Sequence, residues 1–442
     1  MDSPNPSSTI HLCVLVHGLW GNPVHLNHLR DALQAQHPQD RLHILVAKSN
    51  ADYNTYDGIE VGGERVTHEV EQTIRELEKE GAKVQKISVT GYSLGGLVAR
   101  YAIGLLYKSG VFDKVEPVNF ATFATPHLGV RTPKLGYRAY IWNIMGSKTL
   151  STSGEQMFTF DTFRDTGRPL LSIMADRQSI FMKGLRMFKN KSLYANTIND
   201  RSVPYYTAFI SRTDPYVDLE KVDLHYQRGQ EDPVVLEPTL PVTLKKPRTE
   251  QLTTYERLSV LTQQTKTTLP FYALLFTLLP IALPAFLVNS VYQTYRSVQR
   301  VKLHESDHAG IGLGRYRIPL FEEAQHVQDR VYEELAERSR EEYLPTPPPE
   351  PASSAISSSS ASDTAKLSRT ETAKEDSPFP VLALTEEQFE MIDNLDSLDF
   401  TKFPVHIQRH RHTHAAIVVR MQKDAFAEGR VVVRHWAQRF EI

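Results

Sequence analysis

The sequence lacks several features that would assign it to a particular class of protein. It contains a single cysteine, Cys13, so no disulfide can form within the chain, and a reducing compartment is expected. Lys and Arg total 50 against 52 Asp and Glu, so no excess of positive charge would recruit nucleic acid. The first ten residues, MDSPNPSSTI, lack the positive charge and apolar stretch of a secretory signal, and we expect no export by that route.

Short apolar runs alternate with helical patterns through the first half of the chain. Five runs are rich in β-formers and end in turn residues: IHLCVLVHG, RLHILVAKSN, VQKISVTGYS, PVNFATFATP and KSLYANTIND. Between strands, NPVHLNHLRDALQAQ and GGERVTHEVEQTIRELEKEG place apolar side chains at helical spacing. This alternation predicts an α/β fold with a mostly parallel sheet that helices cover on both faces.

The pattern changes after residue 240. We predict a core unit over residues 1–240, an insertion over 241–344, a disordered linker over 345–380 and a closing strand and helix over 381–442. The linker is rich in Pro, Ser and Thr and has almost no large apolar side chains, so it cannot offset the entropy cost of ordering. The closing unit is expected to complete the core.

The third predicted strand leads into a motif for nucleophilic catalysis. GYSLG, which starts at Gly91, is a G-x-S-x-G that lies between a strand-like and a helical stretch. That context predicts a sharp turn that exposes Ser93 as a nucleophile. The backbone N–H groups of Leu94, at the helix start, and of Leu19, in LVHGLWGNP, are the predicted oxyanion donors. His17 in that second turn is expected to bond locally rather than to act as a base.

A serine nucleophile needs a histidine base, and the histidine needs a carboxylate. In this kind of fold the chain order is serine, acid, histidine. Asp200 is favoured as the acid because it lies just beyond a predicted strand, whereas Asp214 and Asp218 lie farther from it. For the base we favour His414 and keep His412 in reserve.

Other histidines lie near these two. His406 and His410 share the stretch VHIQRHRHTHAAIVVR, and His435 lies in the final predicted helix, where it is expected to pack or cap. His410, His412 and His414 alternate and could share a strand face, which is one way to hold a metal. No Cys or acid cluster joins them, so a solvated basic strand end is favoured, and we expect no metal or cofactor.

One long apolar run interrupts the chain. Residues 267–295 carry no charged side chain. As one helix, residues 268–292 would reach about 37 Å, enough to cross a bilayer. However, Pro280 and Pro284 weaken a continuous helix, and both flanks are basic.

A single crossing would place the acid and the base in different compartments, because Asp200 precedes the run and His414 follows it. We therefore predict a monotopic hairpin that anchors the protein on a membrane or a lipid-droplet monolayer and faces the cytoplasm. The alternative is a buried apolar helix, or a lid over the active site.

Several stretches together carry a family likeness: VLVHGLWGNP, NTYDGIEVGGERV, VTGYSLGGLVARYAIG, NFATFATPHLGV, NDRSVPYYTAFI and HTHAAIVVR. In combination they resemble the fungal "putative serine esterase" family of lipases, which includes lipid-droplet phospholipases and monoacylglycerol lipases. The likeness covers roughly residues 10 to 230 well and 400 to 442 loosely. It implies an α/β-hydrolase fold with Ser93 as nucleophile and Asp200 as acid, and a substrate among acylglycerols or phospholipids.

The sequence therefore predicts a serine hydrolase that cleaves lipid esters through an acyl-enzyme at a membrane or droplet surface. One alternative is a hydrolase-shaped membrane adaptor that has lost its chemistry and recruits partners through the linker. Another is a soluble esterase of small esters. The complete set of serine, acid and histidine favours catalysis over the adaptor.

Overall fold

Six β-strands form one parallel sheet at the centre of the protein. The computed structural model describes residues 9–38, 40–131, 143, 146–245, 284, 287–306, 316 and 378–442. The sheet has the order β2-β1-β3-β4-β5-β8, and β6 and β7 form a separate antiparallel pair. The strands are β1 (Thr9–Val16), β2 (Leu42–Val46), β3 (Lys83–Tyr92), β4 (Glu116–Phe123), β5 (Asn190–Asn196), β6 (Val222–Leu224), β7 (Val242–Leu244) and β8 (Thr401–Val405).

Helices connect the strands and cover the sheet. They are α1 (Asn27–Gln36), α2 (Ile59–Lys79), α3 (Leu94–Lys108), α4 (Ser151–Met157), α5 (Leu170–Ala175), α6 (Ile180–Arg186), α7 (Tyr205–Phe209), α8 (residues 287–305), α9 (Glu386–Asp396), α10 (Thr413–Ala416) and α11 (Ala427–Gln438). Short 3₁₀ turns lie at Pro23–Leu26, Asp52–Tyr56, Val111–Asp113, Arg164–Thr166, Leu219–Lys221 and Asp424–Phe426.

Apolar layers lie on both faces of the sheet. Along β1, the side chains of Leu12 and Val14 belong to one layer, together with α2, α3 and α6, and those of Cys13 and Leu15 belong to the other, with α1 and α11. Successive side chains of a strand point to opposite faces, so a continuous apolar run suits a strand that is buried on both sides. The predicted α/β architecture with a parallel sheet is confirmed.

The closing unit adds a strand and a helix to this same core. β8 pairs in parallel with β5, although residues 197–400 separate the two strands in the sequence. Tyr194 of β5 stacks on Phe403 of β8 with ring centroids 5.0 Å apart, and Trp436 of α11 packs edge-on against Phe123 of β4 at 5.7 Å. These contacts join β8 and α11 to one apolar face of the sheet.

The stretch that follows β8 leaves the sheet. The sequence allowed His410, His412 and His414 to share a strand face, but the strand ends at Val405, before these histidines. The next backbone groups leave the sheet because they bond elsewhere: the N–H of His406 donates to Val234 O, and the N–H groups of Gln408 and Arg409 donate to the carboxylate of Glu428.

Part of the insertion is described by the structure. α8 continues ten residues beyond the predicted end of the apolar run at residue 295 and ends at residue 305. Within the described ranges, no helix combines the length and apolar character that a bilayer crossing requires. Residues 267–283, with Pro280, and nearly all of the predicted linker lie outside those ranges.

Candidate active site

Ser93 lies on a sharp turn between β3 and α3. Its backbone has φ 56° and ψ −131°, a conformation that residues with a Cβ rarely adopt. The turn is tight enough to require glycine on both sides, since a Cβ on Gly91 would lie 2.3 Å from Gly96 Cα and a Cβ on Gly95 would lie 2.2 Å from Val16 O. The serine therefore stands at the carboxyl edge of a central strand, where this turn presents its hydroxyl.

His414 bridges the serine and the predicted acid. Its Nε2 lies 3.0 Å from Ser93 Oγ, and its Nδ1 lies 2.8 Å from Asp200 Oδ2. The short helix α10 carries the histidine, and two hydrogen bonds hold that helix in place: Tyr92 Oη donates to His414 O at 2.9 Å, and Thr413 Oγ1 donates to Ile198 O at 2.9 Å. The three groups therefore meet at the carboxyl ends of β3, β5 and β8.

The carboxylate of Asp200 is buried and accepts hydrogen bonds on both oxygens. Oδ1 accepts from the N–H groups of Ser202 (3.0 Å) and Val203 (2.8 Å), and Oδ2 accepts from Asn196 Nδ2 at 2.9 Å as well as from the histidine. Burial by itself raises the pKa of Asp200, but the charge and hydrogen bond of His414 and the bonds from Val203 and Asn196 outweigh it, so the pKa lies below its usual value. The carboxylate is therefore ionised at neutral pH and fixes which nitrogen of the imidazole carries the proton.

The two predicted oxyanion donors flank the serine. Leu94 is the first residue of α3, so its N–H belongs to the helical turn that has no intrahelical acceptors. Leu19 follows Gly18, which packs so closely on the serine that a Cβ there would lie 2.6 Å from Ser93 Cβ. Both backbone segments thus lie beside Ser93, where the carbonyl oxygen of a bound ester would become an oxyanion on attack by Oγ.

The other candidate histidines and acids lie apart from the serine hydroxyl. His17 Nδ1 bonds locally to Gly18 O at 3.1 Å. His410 Nδ1 accepts from the backbone N–H of His412, and His435 lies between Tyr194 Oη and Gln227. In the described part of the chain, no group of three or more His, Cys, Asp or Glu side chains is arranged to hold a metal.

The two weaker acid candidates cap local turns. Asp214 Oδ1 accepts from the N–H of Tyr216 at 3.0 Å, and Asp218 Oδ1 accepts from the N–H of Glu220 at 3.1 Å. Of the three acids considered in the sequence, the structure brings Asp200 to the histidine.

Three supporting side chains were missed by sequence reasoning. Asn196 bonds the acid, while Tyr92 and Thr413 hold the helix that carries the base. Tyr92 is the variable position of G-x-S-x-G, and nothing in its local pattern shows that it would contact a helix more than 300 residues later. Asn196 ends β5 four residues before the acid, a spacing that has meaning only once the turn between them is known.

The arrangement is suited to acyl transfer. A hydroxyl, an imidazole and a carboxylate linked in sequence raise the nucleophilicity of the serine, because the imidazole takes its proton and the carboxylate stabilises the charge that forms. A parallel sheet with a serine on a sharp turn after a central strand, followed in chain order by the acid and the histidine, is the α/β-hydrolase fold that the sequence predicted.

Comparison with known proteins agrees with this site. Residues 6–213 match the family described as "Putative serine esterase (DUF676)". The chain is 31% identical over 243 residues to "Putative lipase ROG1" of Saccharomyces cerevisiae. The aligned region covers 54% of this chain and 34% of that protein. The chain is 29% identical over 209 residues to "Putative lipase C4A8.10" of Schizosaccharomyces pombe. That aligned region covers 46% of this chain and 26% of that protein. The matched region thus spans about a third of the length of the first relative and about a quarter of the second.

Two solved structures also overlap with the chain. Phospholipase PlaB from Legionella pneumophila gives a TM-score of 0.26 at 12% identity, over 46% of this chain and 42% of that one. A structure of the metagenome-derived lipolytic enzymes LipS and LipT gives a TM-score of 0.20 at 17% identity, over 29% of this chain and 46% of that one. Residues 6–213, which match the "Putative serine esterase (DUF676)" family, include both Ser93 and Asp200.

Proposed function

We propose that this protein is a serine hydrolase that cleaves carboxylic esters of lipids, either phospholipids or acylglycerols, through an acyl-enzyme. The observation that carries the proposal is the continuous hydrogen-bonded chain from Ser93 Oγ through His414 to Asp200, built on a strained turn. Strain of this kind persists where the surrounding structure enforces it, and here it holds one hydroxyl against one imidazole.

Each group has a defined role in the two half-reactions. His414 Nε2 removes the proton as Ser93 Oγ attacks the ester carbonyl carbon, and the N–H groups of Leu19 and Leu94 stabilise the resulting oxyanion. When the C–O bond breaks, His414 returns the proton to the leaving alcohol. A water molecule, activated by the same nitrogen, then attacks the acyl-enzyme and releases the carboxylic acid. Asp200 holds the imidazole in the required tautomer throughout.

The lipid character of the substrate is supported by the two yeast relatives, each of which is named a putative lipase. It is also supported by the uncharged run 267–295 with basic residues on both flanks. We further propose that the protein acts at a membrane or lipid-droplet surface that faces the cytoplasm. Since the base follows the run and the acid precedes it, both ends of the run must lie on one side for the site to form.

Replacement of Ser93 tests the chemistry. The Ser93→Ala variant should lose fluorophosphonate labelling and hydrolysis of both a soluble activated ester and an emulsified lipid. Ser109→Ala is the matched control, because Ser109 caps the far end of the same helix and its hydroxyl bonds to Leu106 O of that helix. Unchanged hydrolysis by Ser93→Ala would refute the proposal, and absence of labelling in the unaltered protein would favour the adaptor.

Protease protection tests whether both flanks of residues 267–295 lie on the same side of a membrane. On sealed microsomes that carry the protein with its catalytic unit outside, both flanks of residues 267–295 should be cleaved by added protease. Cleavage of one flank alone would mean that the chain crosses the bilayer, and the proposed topology would then be wrong.

A further inference from the structure

The helix α8 buries polar side chains and exposes apolar ones, which is the reverse of an ordinary surface helix. The side chains that face the protein body are polar and buried: Ser290 is 5% exposed, Gln293 7%, Ser297 0% and His304 2%. Their spacing of three, four and seven residues places them on one side of the helix. A surface helix ordinarily turns an apolar stripe inward, so the inner face of α8 is the opposite of the expected pattern.

The outer face of α8 is apolar. Val288 is 70% exposed, Val291 72%, Tyr295 62%, Val298 40% and Leu303 58%. The first four of these lie three or four residues apart and so form one stripe along the helix. Single exposed apolar residues are ordinary on a protein surface, but a continuous stripe marks a place of contact.

Buried polar contacts hold α8 in this orientation. Asp57, whose side chain is fully buried, accepts from Ser297 Oγ at 2.8 Å and from Arg300 Nη2 at 2.7 Å. One turn further on, His304 Nε2 lies 2.7 Å from the buried carboxylate of Glu64. Rotation of the helix would break both contacts. The buried carboxylate of Glu64 would lose His304, and that of Asp57 would keep Arg65 but lose Arg300 and Ser297, which is costly. The outward direction of the apolar stripe is therefore enforced by the fold.

Exposed aromatic side chains lie between α8 and Ser93. Arg300, on the inner side of α8, also donates from Nη2 to Tyr53 O, and the Tyr53 ring, 46% exposed, lies 6.1 Å from that of the buried Tyr56. Tyr56 Oη in turn accepts from the indole N–H of Trp20, which is 47% exposed and follows the predicted oxyanion donor Leu19. Contacts through the buried Tyr56 thus connect α8 to two exposed aromatic rings, of which Trp20 lies in the turn that packs on Ser93.

We propose that the outer face of α8, together with Trp20 and Tyr53, is a surface that contacts phospholipid and turns the opening of the active site toward it. The inference rests on the proposed function, because it supplies the orientation in which a lipid ester would reach Ser93. Valine and leucine side chains bounded by Trp and Tyr are suited to the boundary between acyl chains and head groups.

Charge and chain continuity favour lipid as the occupant. The exposed cations Arg296 and Lys302 lie beside the apolar stripe, where their side chains can reach anionic head groups. The sequence just before the helix, residues 267–286, carries no charge, so lipid contact made there would continue directly into α8. A second copy of the chain on the same face would bring these cations toward one another.

Fluorescent labels can test which face meets lipid. Cys13 is buried and is the sole cysteine, so a cysteine introduced at Val298 or Leu303 can be labelled selectively in the full chain with an environment-sensitive dye. A label at Glu78, an exposed residue in the last turn of α2 at the opposite edge of the sheet, is the matched control. The probe is vesicles of phosphatidylcholine with phosphatidylserine, with and without a nitroxide-labelled lipid.

The dye at Val298→Cys and Leu303→Cys should shift to the blue on vesicles and be quenched by the nitroxide, whereas the dye at Glu78→Cys should not respond. Three results would overturn the proposal: no binding to vesicles, binding without a response from the outer-face dyes, or a blue shift without vesicles that grows with protein concentration. The last of these would assign the face to a second copy of the chain.

A double substitution provides an independent measure. Val291→Ser with Tyr295→Ser should weaken partition into vesicles at least about tenfold, because two large apolar side chains no longer leave water on binding. Hydrolysis of vesicle lipid should fall relative to hydrolysis of a soluble ester, and equal changes in both would contradict the proposal. If Ser93→Ala keeps its esterase activity, the catalytic proposal fails, while the dye response still decides the lipid-contacting surface.

Discussion

Replacement of Asp200 by Asn should abolish activity with little loss of structure. The amide must place its oxygen where Oδ1 now lies, because that position faces two backbone donors, the N–H groups of Ser202 and Val203. Its NH₂ group then faces His414 Nδ1. Two donors cannot share this contact, so the imidazole must accept at Nδ1 and carry its proton on Nε2, which faces Ser93.

The consequence is a histidine in the wrong tautomer. An Nε2–H group donates to the serine hydroxyl and cannot remove its proton, so the base is lost although the geometry is kept. An acid-to-amide change that traps this tautomer costs about 10⁴-fold in rate, or about 5 kcal/mol of transition-state stabilisation. Asn196 can turn its amide to accept from the new NH₂ group, since its Oδ1 has no hydrogen-bond partner in the described ranges.

The stability loss in Asp200→Asn should be about 1–3 kcal/mol, the size of a lost charge-assisted hydrogen bond. The pKa of Asp200 is depressed in the folded state, so its stabilising contribution is present above its ordinary pKa of 3.8 and is lost as the pH falls through the folded value. The stability difference between the two proteins should therefore narrow at acid pH.

The assay is hydrolysis of a soluble activated ester at neutral pH, together with urea unfolding. Asp214→Asn is the matched control, because Asp214 is also largely buried and caps a turn but has no contact with the histidine. It should keep activity close to that of the unaltered protein. An Asp200→Asn protein that is folded and retains more than about a tenth of the activity would refute the tautomer argument.

Three further predictions concern residues of the site and of the core sheet. Tyr92→Phe removes the hydroxyl that holds His414 O and should lower kcat several-fold, about 1 kcal/mol, with KM changed less in steady-state kinetics; an unaltered kcat would exclude this positioning role. Gly95→Ala places a Cβ 2.2 Å from Val16 O and should destabilise the fold by about 3 kcal/mol or more in thermal unfolding, and a Tm equal to that of the unaltered protein would contradict it. Burial lowers the pKa of His11 from 6.5 to about 4, so the unfolded chain binds more protons between these values, and stability should fall as the pH drops from about 6.5 to 4. Between pH 7 and pH 5, the free energy of unfolding measured with urea should fall less for His11→Asn than for the unaltered protein. An equal fall in both would argue against the lowered pKa of His11.

Local patterns in the sequence predicted most of the fold. Strands buried on both faces appear as continuous apolar runs, and helices appear at a period of 3.6 residues, so the alternation of β1 to β5 with helices could be recognised without coordinates. The turn at Ser93 was equally visible because the glycines around it have a steric reason to be there. The structure confirms these elements.

The course of the chain after β8 could not be predicted in the same way. The sequence left open whether its alternating histidines share a strand face. The structure ends the strand before them, because their neighbouring backbone N–H groups bond to Val234 O and Glu428, which lie elsewhere in the sequence. The identity of the base was therefore left between His414 and His412. The catalytic roles of Ser93, Asp200 and His414 remain a prediction that the substitutions above test.

The uncharged run and the helix α8 also differ in what the sequence could show. Absence of charge over residues 267–295 was evident, and from it followed the expectation of a lipid anchor, which stays a prediction. The inward polar face of α8 was not evident, since Ser297, Arg300 and His304 have no common pattern until Asp57 and Glu64 are placed beneath them.

The sequence by itself determined the local elements, the nucleophile turn and the residue types available for catalysis, because backbone preference and side-chain periodicity act over a few neighbouring residues. Tertiary structure alone decided which histidine stands against a serine 321 residues earlier in the chain, and which way α8 faces. Those outcomes depend on the order in which strands pair and on buried charges that must find partners, and both are properties of the folded chain as a whole.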